Sequence, residues 1–148
     1  MDSAASAGHF NIVKYLSEND TAECTTKAMD TSATNRHFNI VTYLHENRTE
    51  GCTIDAMDEA AESCHLDIVM FLNENRTEGC TTEAMNNAAA NGYFEIVKYL
   101  CENRDVGCTK VAFKAASRNG HHAIAQFLYE HQIELNLRLR IPRINNVY

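Results

Sequence analysis

The sequence predicts an all-α solenoid of about five stacked helix-turn-helix repeats. Three observations lead to this fold class. The segment ENRTEGCT occupies residues 46–53 and returns unchanged at 74–81, which is 28 residues later. The apolar residues keep the same 28-residue period from one end of the chain to the other without a gap. Within each period they follow helical spacing, so the repeated unit is built from helices.

The repeat frame begins at a methionine in four units and at Phe113 in a shorter, diverged fifth unit. The predicted array spans 1–132, and its units are 1–28, 29–56, 57–84, 85–112 and 113–132. We expect residues 133–148 to form a short extended C-terminal tail. Its apolar residues alternate with polar ones between Ile133 and Ile141, which is the period of a strand. The sequence leaves open whether this tail is strand-like and covers the last hairpin or is loose.

Two short helices and their boundaries can be placed in each unit. In the third unit the second helix carries the stripe Ile68, Val69, Phe71 and Leu72, while the first has smaller apolar side chains. Threonines stand where they can cap the first helix: Thr53, Thr81 and Thr109. Glycines end that helix where a left-handed residue is needed: Gly8, Gly92 and Gly120. Arg36 and Cys64 occupy the same place in the other two units.

The segments AGHFNIVKYL at 7–16 and AAANGYFEIVKYL at 88–100 resemble the core of ankyrin repeats. The resemblance extends over about 130 residues but departs from the family in two ways. The usual period of the family is about 33 residues, and its threonine-proline-leucine-histidine signature is replaced here by EAMN at 83–86. The residues missing from each unit belong to the β-hairpin finger of the family. The resemblance therefore implies an ankyrin-like array without β-hairpin fingers, and another α-hairpin solenoid is the alternative fold.

The resemblance also implies a function, namely a non-catalytic module that binds a protein partner, without a cofactor. The family binds across the concave face, which is lined by the first helices, so we expect the exposed first-helix positions to contact the partner. In repeat arrays such positions can vary independently of the core. The candidate partner-binding residues are Asp30, Thr31, Thr34, Asp58, Glu59, Glu62, Asn86, Asn87, Ala90, Lys114 and Arg118. The alternative is a structural spacer, or a fragment of a larger array, with no partner of its own.

Composition and charge narrow the possible partners. The net charge is −7, which disfavours general nucleic-acid binding because phosphates require a basic surface. The charge is uneven: residues 1–84 carry −10 and residues 85–148 carry +3. A less favoured hypothesis is a nucleic-acid accessory that uses the basic tail residues Arg138, Arg140 and Arg143. No apolar run is long enough for a membrane span, and the N-terminus lacks a secretory pattern. We therefore expect a cytoplasmic monomer with no small-molecule substrate.

Repeated cysteines and histidines raise the question of a metal site. Four of the six cysteines share one register: Cys24, Cys52, Cys80 and Cys108. Packed helices lie about 8–10 Å apart, whereas a disulfide needs Cα atoms within about 4.4–6.8 Å. We therefore expect reduced, buried thiols and no metal. A second ladder consists of His9, His37, His65 and His121, which we expect to cap the second helix of each unit. No set of nucleophile, base and orienting group is recognisable, so we do not expect an enzyme.

Overall fold

The computed structural model describes residues 1–19, 22–104 and 109–140, without the side chains of 133–140. Every regular element in these ranges is an α-helix. The helices are α1 (Asp2–Ser6), α2 (Phe10–Glu18), α3 (Thr26–Thr34), α4 (Phe38–Asn47), α5 (Asp55–Glu62), α6 (Leu66–Asn75), α7 (Thr82–Asn91), α8 (Phe94–Asn103), α9 (Lys110–Arg118) and α10 (His122–Arg140). The prediction of an all-α solenoid of stacked helical hairpins is confirmed.

The hairpins pair each odd-numbered helix with the even-numbered helix that follows it. The predicted repeat frame starts one turn inside the first helix, so that Met29, Met57 and Met85 lie within α3, α5 and α7. Successive first helices pack more extensively against one another than successive second helices do. The cause is side-chain size, because the first helices bury mainly alanine and the second helices bury isoleucine, valine and leucine. The stack therefore curves with the first helices on its inner side.

One continuous core runs through the stack. In its central units the second helices contribute an isoleucine, a valine and a leucine each, at 0–2% exposure. The first helices add a methionine at the same register of three units, again at 0–2% exposure. These short helices would be marginal alone in water. Their stability comes from packing against neighbouring helices, which explains why the same buried residue types repeat along the chain.

The turn between the two helices of a hairpin is left-handed in all five units. Gly92 has φ 85°, and Arg36 and Cys64 have φ 61° and 64° at the same register. The predicted left-handed turn is therefore confirmed, including the two units that carry a side chain there. A left-handed residue other than glycine costs roughly 1–2 kcal/mol, so these two turns are strained relative to the others.

The repeated segment ENRTEGCT ends one hairpin and leads into the next. Arg76 and Glu78 form an ion pair in the second copy, and the backbone N–H of Thr77 donates to Glu78 at 3.0 Å. A side chain at Gly51 in the first copy would collide with the guanidinium of Arg76, so successive connections pack directly on each other. The connections 48–53 and 76–81 contain no strand, in agreement with the predicted absence of fingers.

The prediction of a strand-like tail from residue 133 is wrong for the described residues. Helix α10 continues to Arg140, eight residues beyond the predicted end of the array. Leucine, arginine and glutamate are good helix formers, and no helix-breaking residue precedes Pro142. Residues 141–148, which include Arg143 and the rest of the predicted tail, lie outside the described residues.

Candidate functional site: the first-helix face

The first-helix face consists of the side chains of α1, α3, α5, α7 and α9 that point away from the second helices. Of the eleven predicted partner-binding residues, four are exposed: Glu59, Glu62, Lys114 and Arg118. Five are half-buried: Thr31, Thr34, Asp58, Asn87 and Ala90. The remaining two, Asp30 and Asn86, are buried at 9% exposure. The prediction that all of these positions are exposed is therefore wrong for Asp30 and Asn86.

The reason for this burial is an inter-hairpin cap. The carboxylate of Asp30 accepts hydrogen bonds from the backbone N–H of Thr53 at 2.8 Å and from its hydroxyl at 3.2 Å. The Thr53 hydroxyl in turn accepts from the N–H of Asp55, the first residue of α5, at 3.1 Å. The N-cap residue of α5 is Ile54, so the predicted cap at Thr53 is wrong by one position, whereas Thr81 and Thr109 cap α7 and α9 as predicted. The carboxyl group thus fixes the start of the next first helix. The same contact recurs in the pairs Asp2–Thr25, Asp58–Thr81 and Asn86–Thr109.

Burial also changes the titration of this carboxyl group. Desolvation raises the pKa of Asp30 above its usual value, and the two hydrogen bonds from Thr53 oppose that rise. The carboxylates of Asp55 and Glu59 raise the pKa further. A group that is expensive to ionise and already bonded on both oxygens is poorly suited to reach a partner. We therefore assign Asp30, Asp58 and Asn86 to the stability of the stack.

Two exposed carboxylates of the face are each linked to a neighbouring hairpin by a hydrogen bond. Glu59 accepts from the hydroxyl of Thr34, and Glu62 accepts from the amide of Asn87 at 2.9 Å. Both carboxylates remain exposed to solvent, with one oxygen each still available as an acceptor. Charge changes along the face, from these acidic residues on α5 to Lys114 and Arg118 on α9. The face thus presents a carboxylate surface at its centre and a cationic surface at its C-terminal end.

A hollow of about 370 Å³ lies at the N-terminal end of the same face, between α1 and α3. Its lining residues are Asp2, Ser3, Ser6, Ala7, Lys27 and Thr31. Only Thr31 is among the residues predicted from the sequence. Lys27 was missed because the repeat frame placed it at the end of the preceding unit, although it lies four residues before Thr31 on the same helix. Ser3 was missed although it stands at the register of Thr31 in the first unit.

The histidine ladder lies at the predicted cap positions, but its side chains make a different contact. His37 and His65 are the N-cap residues of α4 and α6, although neither side chain makes a cap hydrogen bond to the helix. Instead, the imidazole Nε2 of His65 lies 3.0 Å from the carbonyl oxygen of Thr34, at the end of the first helix of the preceding hairpin. His37 and His121 make the equivalent contact with Ser6 and Ala90. The side-chain contact was not predicted because it depends on how successive hairpins are placed relative to each other.

Nothing in the described part of the chain brings metal-ligating groups together, since no three His, Cys, Asp or Glu side chains converge there. The described cysteines are free thiols. Burial raises the pKa of Cys52 to about 11 and also raises that of Cys24 and Cys80. A high pKa lowers the fraction of thiolate, which is both the nucleophile and the metal ligand. Cys108, the fourth member of this ladder, lies outside the described residues.

Comparison with known proteins agrees with this architecture. A family model for ankyrin repeats, described as three copies, matches residues 57–138. The chain belongs to the ankyrin-repeat family. Ankyrin repeats are generally protein–protein interaction modules, and the family is typically non-catalytic. A comparison with curated proteins gives no match. Among the described residues, no helix combines the length and the apolar character that a membrane crossing requires.

Proposed function

We propose that this ankyrin-repeat chain is a non-catalytic interaction module that binds a protein partner through the first-helix face. The supporting observation is a contrast between two sets of positions on the same helices. Core and inter-hairpin contacts use the same residues from unit to unit, as in the alanines and the Asp–Thr caps. The exposed positions that precede each hairpin turn carry different side chains, for example Glu62 on α5 and Arg118 on α9. Packing of the hairpins does not require these exposed positions to differ between units, whereas recognition of a partner depends on such differences.

The charge of the exposed residues indicates how a partner would be oriented. Glu59 and Glu62 are exposed carboxylates at the middle of the face, and the exposed cations Lys114 and Arg118 of α9 lie two hairpins further along. Charged residues at the rim of an interface mainly steer association and contribute less to the lifetime of the complex. We therefore infer a partner with basic residues opposite α5 and acidic residues opposite α9.

The test compares two double variants with the same charge change. E59S/E62S removes two carboxylates from the first-helix face, and E46S/E74S removes two exposed carboxylates from α4 and α6. Neither pair belongs to the core, so both variants should keep the melting temperature of the wild-type within about 2 °C. Affinity capture from a native lysate, quantified by mass spectrometry, should recover at least fivefold less of a stoichiometric partner with E59S/E62S and an unchanged amount with E46S/E74S. Equal capture by E59S/E62S and the wild-type would contradict the proposed face.

A further inference from the structure

The second-helix face carries a row of aromatic pairs that cross from one hairpin to the next. Phe10 meets Tyr43 with ring centroids 5.6 Å apart and planes at 86°, and Phe38 meets Phe71 at 5.6 Å and 85°. Phe94 meets Phe127 at 5.5 Å and 65°. Edge-to-face contacts of this kind are the favoured arrangement of aromatic rings. An aromatic pair therefore bridges three of the four interfaces between successive second helices.

The interface between α6 and α8 breaks the row. Leu66 occupies the position of the phenylalanines, opposite Tyr99. The phenolic oxygen of Tyr99 accepts a hydrogen bond from the Asn73 amide at 2.8 Å, so its ring is held in place without a facing ring. The result is a notch of about 190 Å³, here called the second-helix notch. Its lining residues are Leu66, Met70, Glu95, Lys98, Tyr99 and Glu102.

A second position at the same interface adds an apolar side chain to the notch. Met70 is 38% exposed, and the equivalent positions of the other four units are polar: Lys14, Thr42, Lys98 and Gln126. Methionine is flexible and polarizable, and its sulfur makes favourable contacts with aromatic rings. Within one interface, a position that is aromatic in three other units and a position that is polar in four other units thus carry Leu66 and Met70, beside the ring of Tyr99.

We propose that the second-helix notch binds an aromatic side chain of a partner protein that carries a basic residue next to it. The ring is expected because the three equivalent interfaces show that a phenylalanine fits against the aromatic residue of the following hairpin. The volume of about 190 Å³ is sufficient, since a cavity of about 150 Å³ can hold benzene. The basic neighbour is expected because Glu95 and Glu102 place two carboxylates at the rim against the single ammonium of Lys98. This surface lies on the opposite side of the stack from the first-helix face.

The experiment titrates the full chain, labelled with ¹³C in its methionine methyl groups, with N-acetyl-phenylalanyl-lysine amide. We expect the Met70 signal to move saturably with a dissociation constant of about 1–10 mM, the range for so small a ligand. The signals of Met29, Met57 and Met85 should not move, because these side chains are buried. N-acetyl-leucyl-lysine amide and N-acetyl-phenylalanyl-glutamate amide should each bind at least threefold more weakly.

Two variants separate filling of the notch from damage to the fold. L66F restores the aromatic pair, so it should raise the melting temperature and weaken the phenylalanyl-lysine probe at least tenfold, observed at Met70. M70K places a cation in the notch, with Lys14 and Lys98 showing that the fold accepts lysine at this register. It should leave the melting temperature unchanged and abolish the saturable shift of the Tyr99 ring signals.

Several results would overturn the proposal. These are the absence of a saturable Met70 shift in the wild-type, equal affinity for the leucyl probe, and unchanged binding by L66F. A Met70 shift that depends on protein concentration without any probe would show instead that a second copy of the chain occupies the notch.

Discussion

Replacing Asp58 by alanine should destabilise the stack, although Asp58 belongs to the face that we propose for partner binding. Its carboxylate accepts hydrogen bonds from the backbone N–H of Thr81 at 2.9 Å and from the Thr81 hydroxyl at 2.6 Å. That hydroxyl caps α7 by accepting from the N–H of Glu83 at 3.0 Å. The substitution D58A therefore leaves a half-buried backbone donor without its acceptor and loosens the cap of the following helix.

The size of this effect follows from the bonds that are lost. A hydrogen bond to a charged group contributes about 1.5–3 kcal/mol, and the half-buried position of this pair favours the lower value for each bond. We expect D58A to lower the free energy of unfolding by about 2–3 kcal/mol. For a chain of this size that corresponds to a fall in melting temperature of about 4–12 °C. Urea titration and thermal melting, both followed by far-UV circular dichroism, measure the two quantities.

Two further variants make this prediction specific. D58N keeps an acceptor oxygen, and Asn86 at the same register accepts from the hydroxyl of Thr109 at 2.5 Å. We expect D58N to cost less than about 1 kcal/mol. E59A removes a carboxylate from the adjacent exposed position and should cost less than about 0.5 kcal/mol. If D58A proves no more destabilising than E59A, the carboxylate does not cap the next hairpin and our assignment of this ladder to stability is wrong.

Four other measurements test separate parts of the account. G92A should lower the free energy of unfolding more than G120A. Both turns are left-handed, but of the two positions only Gly92 would place the new Cβ 2.6 Å from a histidine ring. Equal decreases in the free energy of unfolding, measured by urea titration, would contradict this. C64G should raise stability by roughly 0.5–1 kcal/mol, because relief of 1–2 kcal/mol of strain exceeds the entropic cost of glycine; a loss would show that the turn is not strained. Among the cysteines that the structure describes, iodoacetamide should modify exposed Cys64 first and Cys52 last in native protein at pH 8, since a pKa raised from 9.0 to about 11 reduces the Cys52 thiolate about 100-fold. The hydrogen bond from Arg76 lowers the pKa of Glu78 in the folded state. The ion pair therefore stabilises the fold fully above the unfolded pKa of Glu78, and this stabilisation is lost as pH falls through the folded pKa. An E78Q variant should show a weaker loss of stability on acidification than the wild-type.

The sequence was sufficient to predict the hairpins, because apolar spacing and turn residues are local features and recur from one repeat to the next. Apolar spacing identified the helices, and the glycines identified a left-handed turn that Arg36 and Cys64 also adopt. The tail was predicted incorrectly because a period of two is weak evidence where most residues, here leucine, arginine and glutamate, are also good helix formers. No local signal there favoured a strand partner over continuation of α10.

The candidate site was predicted less well, because exposure depends on the contact between hairpins. The prediction that Asp30 is exposed was wrong although a signal was present: aspartate stands at the same register in Asp2 and Asp58, and its threonine partner recurs in the first four units. A polar residue that repeats with the core serves the structure, whereas Glu59 and Glu62 do not repeat. The second-helix notch could not be predicted in this way, since Leu66 is distinctive only once the aromatic pairs are seen to cross between hairpins.

Site-specific photo-crosslinking tests the central claim most directly, because it reports which face of the stack touches a partner. A benzophenone side chain is placed at exposed Glu62 on α5 or, as the matched control away from the second-helix notch, at exposed Glu46 on α4. Each protein is irradiated in a native lysate, and the crosslinked products are identified by mass spectrometry. We expect one abundant protein adduct from position 62 that is absent from position 46 and is competed away by unlabelled wild-type chain. An adduct from position 46 but none from position 62 would contradict the first-helix face as the binding surface.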